Sequence, residues 1–318
     1  MNEIDLFMDS GAHSIFNKEF AGVAHIKGEM SRLDANYEYF NSKTFKDYLN
    51  AYIEFLHANK HLCNVYVSLD IIFNAEKSWE VQKYMESCGL EPLPVFHFGE
   101  DIKWLKKYMD SYEYIGIGGL GQDITKEKFI QSMGDPVFAC ICDDKGTPRV
   151  KTHGFALTAV DLIIRYPWWS TDSTTWKKSS AFGYIFVPYK DKSGYLFDRT
   201  PKVVHISTQS SYVVQEGMHF QNILKGEQKY VLDYLESINV PFGVSEFREE
   251  DKSYKLKKGE AWVIRGSNLL VEKVIEPGAC NDYFWRDEAN IEFFLELEKT
   301  EVGFGKSTFN KKTKGFFV

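Results

Sequence analysis

The stretch Asn64-Val65-Tyr66-Val67-Ser68-Leu69-Asp70 decides the fold: it is an apolar run of strand length that closes on a carboxylate. A helical pattern follows, with Trp79, Val81, Tyr84, Met85 and Cys88 at its apolar positions and Gly89 as its stop. The unit recurs on both sides. Upstream, Ile4-Asp5-Leu6-Phe7-Met8 ends at Asp9-Ser10-Gly11 and leads to the stripe Phe45, Tyr48, Leu49, Tyr52, Ile53 and Leu56. Downstream, Pro94-Val95-Phe96-His97-Phe98 precedes a helix carrying Trp104, Leu105, Tyr108 and Met109. Tyr114-Ile115-Gly116-Ile117-Gly118-Gly119-Leu120 precedes one around Phe129, Ile130 and Met133. Arg149 to Gly154 precedes Leu157 to Ile164, and Trp168-Trp169-Ser170-Thr171-Asp172 ends on another acid.

Strands alternating with single helices predict parallel β/α construction with right-handed crossovers. Six such units without a dinucleotide-binding fingerprint predict an α/β fold of the (β/α)8 TIM-barrel type, with insertions and a C-terminal extension. Asp9, Asp70, His97, Gly118-Gly119, His153 and Asp172 all fall at C-terminal strand ends, which in a barrel converge on the face that carries the active site. The expected division is a catalytic domain over 1–250 and an extension over 251–318. Within it, Phe182 to Val187, Val203 to Ser207 and Phe242 to Phe247 read as strands, separated by the polar insert Asp191-Lys192-Ser193-Gly194 and a helix around Tyr230 to Ile238. The chain after Glu249 is rich in Lys and Glu, and the tail Lys306 to Lys314 is basic and expected to be mobile.

Composition narrows the function. The 318 residues are 44% apolar and carry a net charge of −7, so a large core is expected and an evenly basic nucleic-acid coat is excluded, though a local basic groove is not. No apolar run reaches the ~20 residues of a membrane span. The acidic N-terminus lacks the basic start of a signal peptide, and five scattered cysteines suit reduced thiols; a cytoplasmic protein is expected. Cys140 and Cys142 have no second pair at metal-ligand spacing, so neither a metal nor another cofactor is expected.

Two carboxylates on one face are a standard arrangement for cleaving a bond at an anomeric carbon, one attacking and the other managing the leaving group's proton. A third can accept paired N–H groups from a flat heterocycle such as guanine. Glycines at 118 and 119 admit a planar ligand close to the backbone. These residue types point to glycosyl or glycoside chemistry and leave open a barrel glycoside hydrolase and a base-binding module without chemistry.

Several segments also resemble the tRNA-guanine transglycosylases. Asp9-Ser10-Gly11-Ala12-His13 resembles the family's Asp-Ser-Gly-Gly-Phe segment, and Ser68-Leu69-Asp70 falls where it places a guanine-reading aspartate. Ile117-Gly118-Gly119-Leu120 is similar to its Gly-Gly-Leu-Ala loop, Lys151-Thr152-His153-Gly154-Phe155 to its His-x-x-Gly segment, and Ser170-Thr171-Asp172-Ser173 to its nucleophile segment. The order is preserved over about residues 4 to 190. The resemblance implies that Asp172 attacks C1′ of a guanosine, that Asp9 serves as general acid and then base, and that Asp70, Gly118, Gly119, Ser10, His97 and His153 line the base site. It implies a nucleic-acid partner, a small 7-deazaguanine base as second substrate, and no membrane.

The departures also direct the reading. The tRNA enzymes carry a three-cysteine, one-histidine zinc site after the nucleophile; here only Cys280 follows Asp172. The family's Gln-Gly-Gly loop is replaced by His97-Phe98-Gly99. A shortened, zinc-free chain with Trp168-Trp169 beside the nucleophile looks more like the phage-type DNA transglycosylases, which favours DNA over tRNA. Candidates outside the motifs are His13 and the pairs Lys177-Lys178 and Lys311-Lys312 for phosphate, and Trp168, Trp169 and Trp176 for base stacking.

Overall fold

The computed structural model describes residues 6–16, 18, 38–72, 74–119, 125–157 and 159–300. The chain divides into two compact units. Among its described residues, the first runs up to Leu157 and takes in Arg165–Asp172; the second comprises 159–164 and 173–300. The two units part at Asp172/Ser173, whereas the sequence reading set its division at 250/251. Ile4, Leu120 and the tail from Lys306 lie outside the described residues.

The first unit alternates strand and helix. In chain order it holds β1 (Phe7–Met8), α1 (Ala12–Phe16), α2 (Lys43–Asn59), β2 (Val65–Tyr66), α3 (Ala75–Ser87), β3 (Val95–His97), α4 (Ile102–Ser111) and β4 (Tyr114–Gly118). Then come α5 (Lys126–Phe129), running through a π-helical turn into α6 (Asp135–Ile141), and β5 (Lys151–Gly154). After α7 (Val160–Arg165) the chain makes β6 (Ser170–Thr171). Four helix starts have a local cause: Ser42, Asn74, Asp101 and Thr125 each accept a backbone N–H of the first turn. Gly89, at φ +79°, closes α3 in the left-handed conformation that a side chain would disfavour. α2 buries Phe45, Leu49, Tyr52, Ile53 and Leu56 as one stripe.

The strands pair parallel and in chain order: β1 with β2, and β3 to β6 as one sheet. A parallel bridge from Val67 to Leu93 joins the two sets. Along β4 the pleat alternates. Ile115 and Ile117 are fully buried, whereas a Cβ at Gly116 would strike the Phe155 ring and one at Gly118 the His97 ring. The sheet is strongly curled. Four steps of ~4.8 Å would put β1 and β5 about 19 Å apart in a flat sheet, yet the rings of Phe7 on β1 and His153 on β5 stack with centroids 4.2 Å apart.

The second unit departs from the parallel plan. Tyr184–Val187 (β7) is followed by the hairpin β8 (Tyr189–Asp191) and β9 (Gly194–Leu196), then by β10 (Lys202–His205). β10 pairs antiparallel with β7, against the parallel repeat expected of eight equal units. The reason is the connection, a short hairpin in place of the helix that a parallel crossover needs. α8 (Thr175–Ala181) precedes β7, and α9 (Lys225–Ser237) follows β10. β11 (Val244–Glu249), β12 (Glu260–Arg265) and β13 (Asn268–Glu276) form an antiparallel sheet with β13 central, and α10 (Tyr283–Glu298) follows it. Asn290 of α10 is buried and accepts the Phe186 N–H at 2.8 Å while donating to the Ser180 Oγ at 3.0 Å, so α8, β7 and α10 are stitched into one core. Among the described residues no helix is long and apolar enough to cross a membrane.

Candidate active site

Asp9, Asp70, His97, Gly118, His153 and Asp172 all fall at or just past the C-terminal ends of parallel strands of the first unit. Two histidine–aspartate pairs organise them. At the end of β6, Asp172 Oδ1 lies 3.2 Å from His153 Nε2 and accepts the Ala156 N–H at 2.9 Å. The far side of the imidazole is fixed as well: His153 Nδ1 is 2.7 Å from Ser170 Oγ, which in turn meets the Tyr114 hydroxyl. Phe7 stacks on the ring face and Phe155 meets it edge-on. Ala156 delivers its N–H from φ +52°, a backbone conformation costly for a residue with a Cβ and often kept at functional sites. Burial works to raise the Asp172 carboxyl, but the hydrogen bonds from His153 and Ala156 hold it below its usual range.

The second pair is deeper. His97 Nε2 lies 3.0 Å from Asp70 Oδ2, and its Nδ1 lies 3.5 Å from Glu100 Oε1. The other oxygen of Glu100 accepts the His97 backbone N–H at 3.0 Å. Burial opposes a charge on this imidazole, yet the hydrogen bonds to Asp70 and Glu100 prevail and raise its pKa to about 10. His97 therefore lies between two acidic side chains that favour its charged form.

Asp9 differs from both. Burial pushes its carboxyl up, repulsion from Asp70 adds to this, and a smaller push comes from Asp172; the N–H groups of Gly11 and Ser10 oppose it without prevailing. The three aspartates thus share one electrostatic neighbourhood. Tyr48 and Tyr52 of α2 frame it from outside, donating to the carbonyls of Ser10 (2.8 Å) and Val67 (2.8 Å). The Tyr52 hydroxyl is pushed well above its usual range by burial and by the negative field of Asp9.

Some expectations change. His97, expected to line the base site, has both ring nitrogens turned to carboxylates, so its contribution is to hold Asp70. Gly118 gives its space to the His97 ring. Gly119, directly after β4, has φ +85°, a backbone conformation that suits glycine. Ser10 is buried, its Oγ accepting the Ala12 N–H at 3.3 Å and its carbonyl held by Tyr48. Trp168 is buried against Phe138 and Tyr166 and is a core residue, while its neighbour Trp169 is exposed with Lys151 Nζ 3.9 Å from its ring centroid. His13 lies on α1, Trp176 and Lys177-Lys178 lie on α8 in the other unit, and Lys311-Lys312 lies outside the described residues.

Glu100, Ser170, Tyr114 and the Ala156 N–H are site groups that the motifs did not single out. Glu100 carried the one available signal, a carboxylate three residues after a strand-end histidine.

Compared with protein-family models, curated proteins and solved structures, the chain has no match.

Proposed function

We propose that the curled parallel sheet belongs to a (β/α)8-type barrel and that this chain is a base-exchange transglycosylase, replacing guanine in DNA with a 7-deazaguanine derivative through a covalent aspartyl intermediate. The observation that carries the reading is the opposite displacement of two carboxyls in one neighbourhood: Asp9 is held toward its protonated form and Asp172 toward its ionised form. Carboxyls pushed apart in this way divide the acid and nucleophile roles between them.

In the first step Asp172 Oδ2, the oxygen that His153 and Ala156 leave unengaged, attacks C1′ of the target nucleoside. The C1′–N9 bond breaks and the proton on Asp9 passes to the departing guanine. In the second step the Asp9 carboxylate removes the N9 proton of the incoming base, N9 attacks C1′, and the Asp172 carboxylate is released. Two displacements retain the anomeric configuration. Asp70, steadied by His97, accepts N–H groups from the base edge, as carboxylates do from base donors.

The test is incubation of the protein with duplex DNA and a labelled 7-deazaguanine. Label should enter the DNA with release of one guanine per base incorporated, and denatured samples of the wild type should contain a protein–DNA adduct that Asp172→Asn lacks. Exchange into tRNA alone would move the activity to RNA. Glycan cleavage without exchange would replace the reading with a hydrolase, and base binding without any adduct would reduce the site to a binding module.

A further inference from the structure

The Lys- and Glu-rich chain after Glu249 forms the loop from β11 to β12, and its charges are sorted. The acids stand at its base and are engaged. Arg248 donates from Nε to Glu250 (2.8 Å) and from Nη2 to Glu260 (2.8 Å), and Glu260 also accepts the Tyr254 hydroxyl (3.0 Å) and the Lys257 N–H (2.9 Å). The Lys257 N–H leads a set of donors that hold the Glu260 carboxyl down to about 2. Asp251 accepts the Ser253 N–H at 2.9 Å. The stretch 252–258 between these acids contains four lysines and no acid. Lys252, Lys255, Lys257 and Lys258 are all exposed, and none is ion-paired with a carboxylate of the described residues.

Some lysines elsewhere on the surface behave differently. Lys43, Lys229 and Lys299 each lie against an acid three or four residues away on the same helix. Four like charges held together on a pinned loop repel one another, and the acids at the base are occupied with Arg248 and with backbone N–H groups. An anion from outside the chain would relieve this crowding.

We propose that the 252–258 loop is a phosphate-contacting surface that grips the nucleic-acid backbone. Ammonium groups spaced along an ordered loop suit a row of phosphates, which they hold as point charges without reading sequence. On a chain of net charge −7 this grip is local and strongly salt-dependent. The choice of nucleic acid as the polyanion rests on the base-exchange reading, but binding can be measured without any exchange.

The test is fluorescence anisotropy of a labelled duplex DNA titrated with the intact protein between roughly 50 and 200 mM salt. Four phosphate contacts account for a log–log salt slope of about −3.6, or an affinity loss of about 100-fold across that range. The quadruple variant K252Q/K255Q/K257Q/K258Q should lose this part of the slope and bind correspondingly more weakly at low salt. The control K43Q/K229Q/K299Q should bind like wild type, and both should melt like wild type because every changed residue is on the surface.

Unchanged slope and affinity in the quadruple variant would overturn the loop's role. So would a quadruple variant whose only loss is binding to phosphatidylserine vesicles, which would assign the loop to a membrane surface. Loop-dependent DNA binding by a protein with no exchange activity would leave this inference standing and defeat the enzymatic one; normal exchange by the quadruple variant would do the reverse.

Discussion

The first unit holds two histidine–aspartate pairs at the ends of parallel strands, and burial separates their uses. The Asp172 side chain is 55% exposed, and the Asp70 side chain 8%. At Asp172 the imidazole and one backbone N–H orient a carboxylate that still reaches solvent, which suits a group that must meet an incoming carbon. At Asp70 the imidazole is enclosed between two acids, and the result is a fixed acceptor. On the proposed reading, the same pair of residue types serves as a reacting group where water enters and as a rigid template where it does not.

The largest test of this contrast is Asp172→Asn. Removing the nucleophile should slow exchange by about 10⁴-fold or more with little change in melting, read as labelled base incorporated per minute. Asp9→Asn should come next, costing about 10²–10⁴-fold, with the larger loss for the poorer leaving base. His97→Gln breaks the contrast from the buried side. It leaves Asp70 and Glu100 without their shared cation and should destabilise the fold by about 3–5 kcal/mol in denaturant titrations.

The pH responses sharpen the comparison. In the proposed exchange, the first half-reaction needs Asp9 protonated and Asp172 ionised. Its rate should fall as pH drops through the lowered Asp172 range and fall again as pH rises through the raised Asp9 range. Stability should follow the buried pair instead. The folded pKa of His97 is raised from 6.5 to about 10, so its stabilising contribution is whole below 6.5 and is lost as pH climbs toward 10. Chemical denaturation from pH 6.5 to 10 should show that decline in the wild type, and His97→Gln should lack it. The smallest effect is at Ala156. Ala156→Gly relieves the left-handed backbone while keeping the N–H that Asp172 accepts, and should raise stability by at most about 1 kcal/mol with exchange unchanged.

The parallel half of the fold was legible in the sequence because β1 to β4 lie in short apolar runs that stop near Asp, His or Gly, and the longer helices between them each bury one stripe. The second unit was harder to read. β12 and β13 are half-exposed strands with Lys and Glu among their apolar positions, so their composition reads as solvated chain; the fully buried Glu272 on β13 reads the same way. The antiparallel return of β10 depends on what connects it to β7, which apolar patterning does not report. In the site, strand-end carboxylates were legible because three separate strand-like runs close on Asp9, Asp70 and Asp172. The partners that tune them were not, because they are set by χ angles and backbone turns: a serine inside β6, an N–H at positive φ, and a glutamate in a polar loop. Trp168 and Trp169, just before β6, show the limit of reading by residue type, since one of the two adjacent tryptophans is buried and the other exposed.

The stacked rings of Phe7 and His153 act as a caliper across the curl of the sheet. Their combined thickness sets the gap between the first and fifth strands, and the phenyl face keeps the imidazole from swivelling off its line to Asp172. Trimming Phe7 to alanine would take away that backstop while deleting no polar atom. The readiness of an acid at the end of the sixth strand is therefore governed from the first strand, by a hydrocarbon ring.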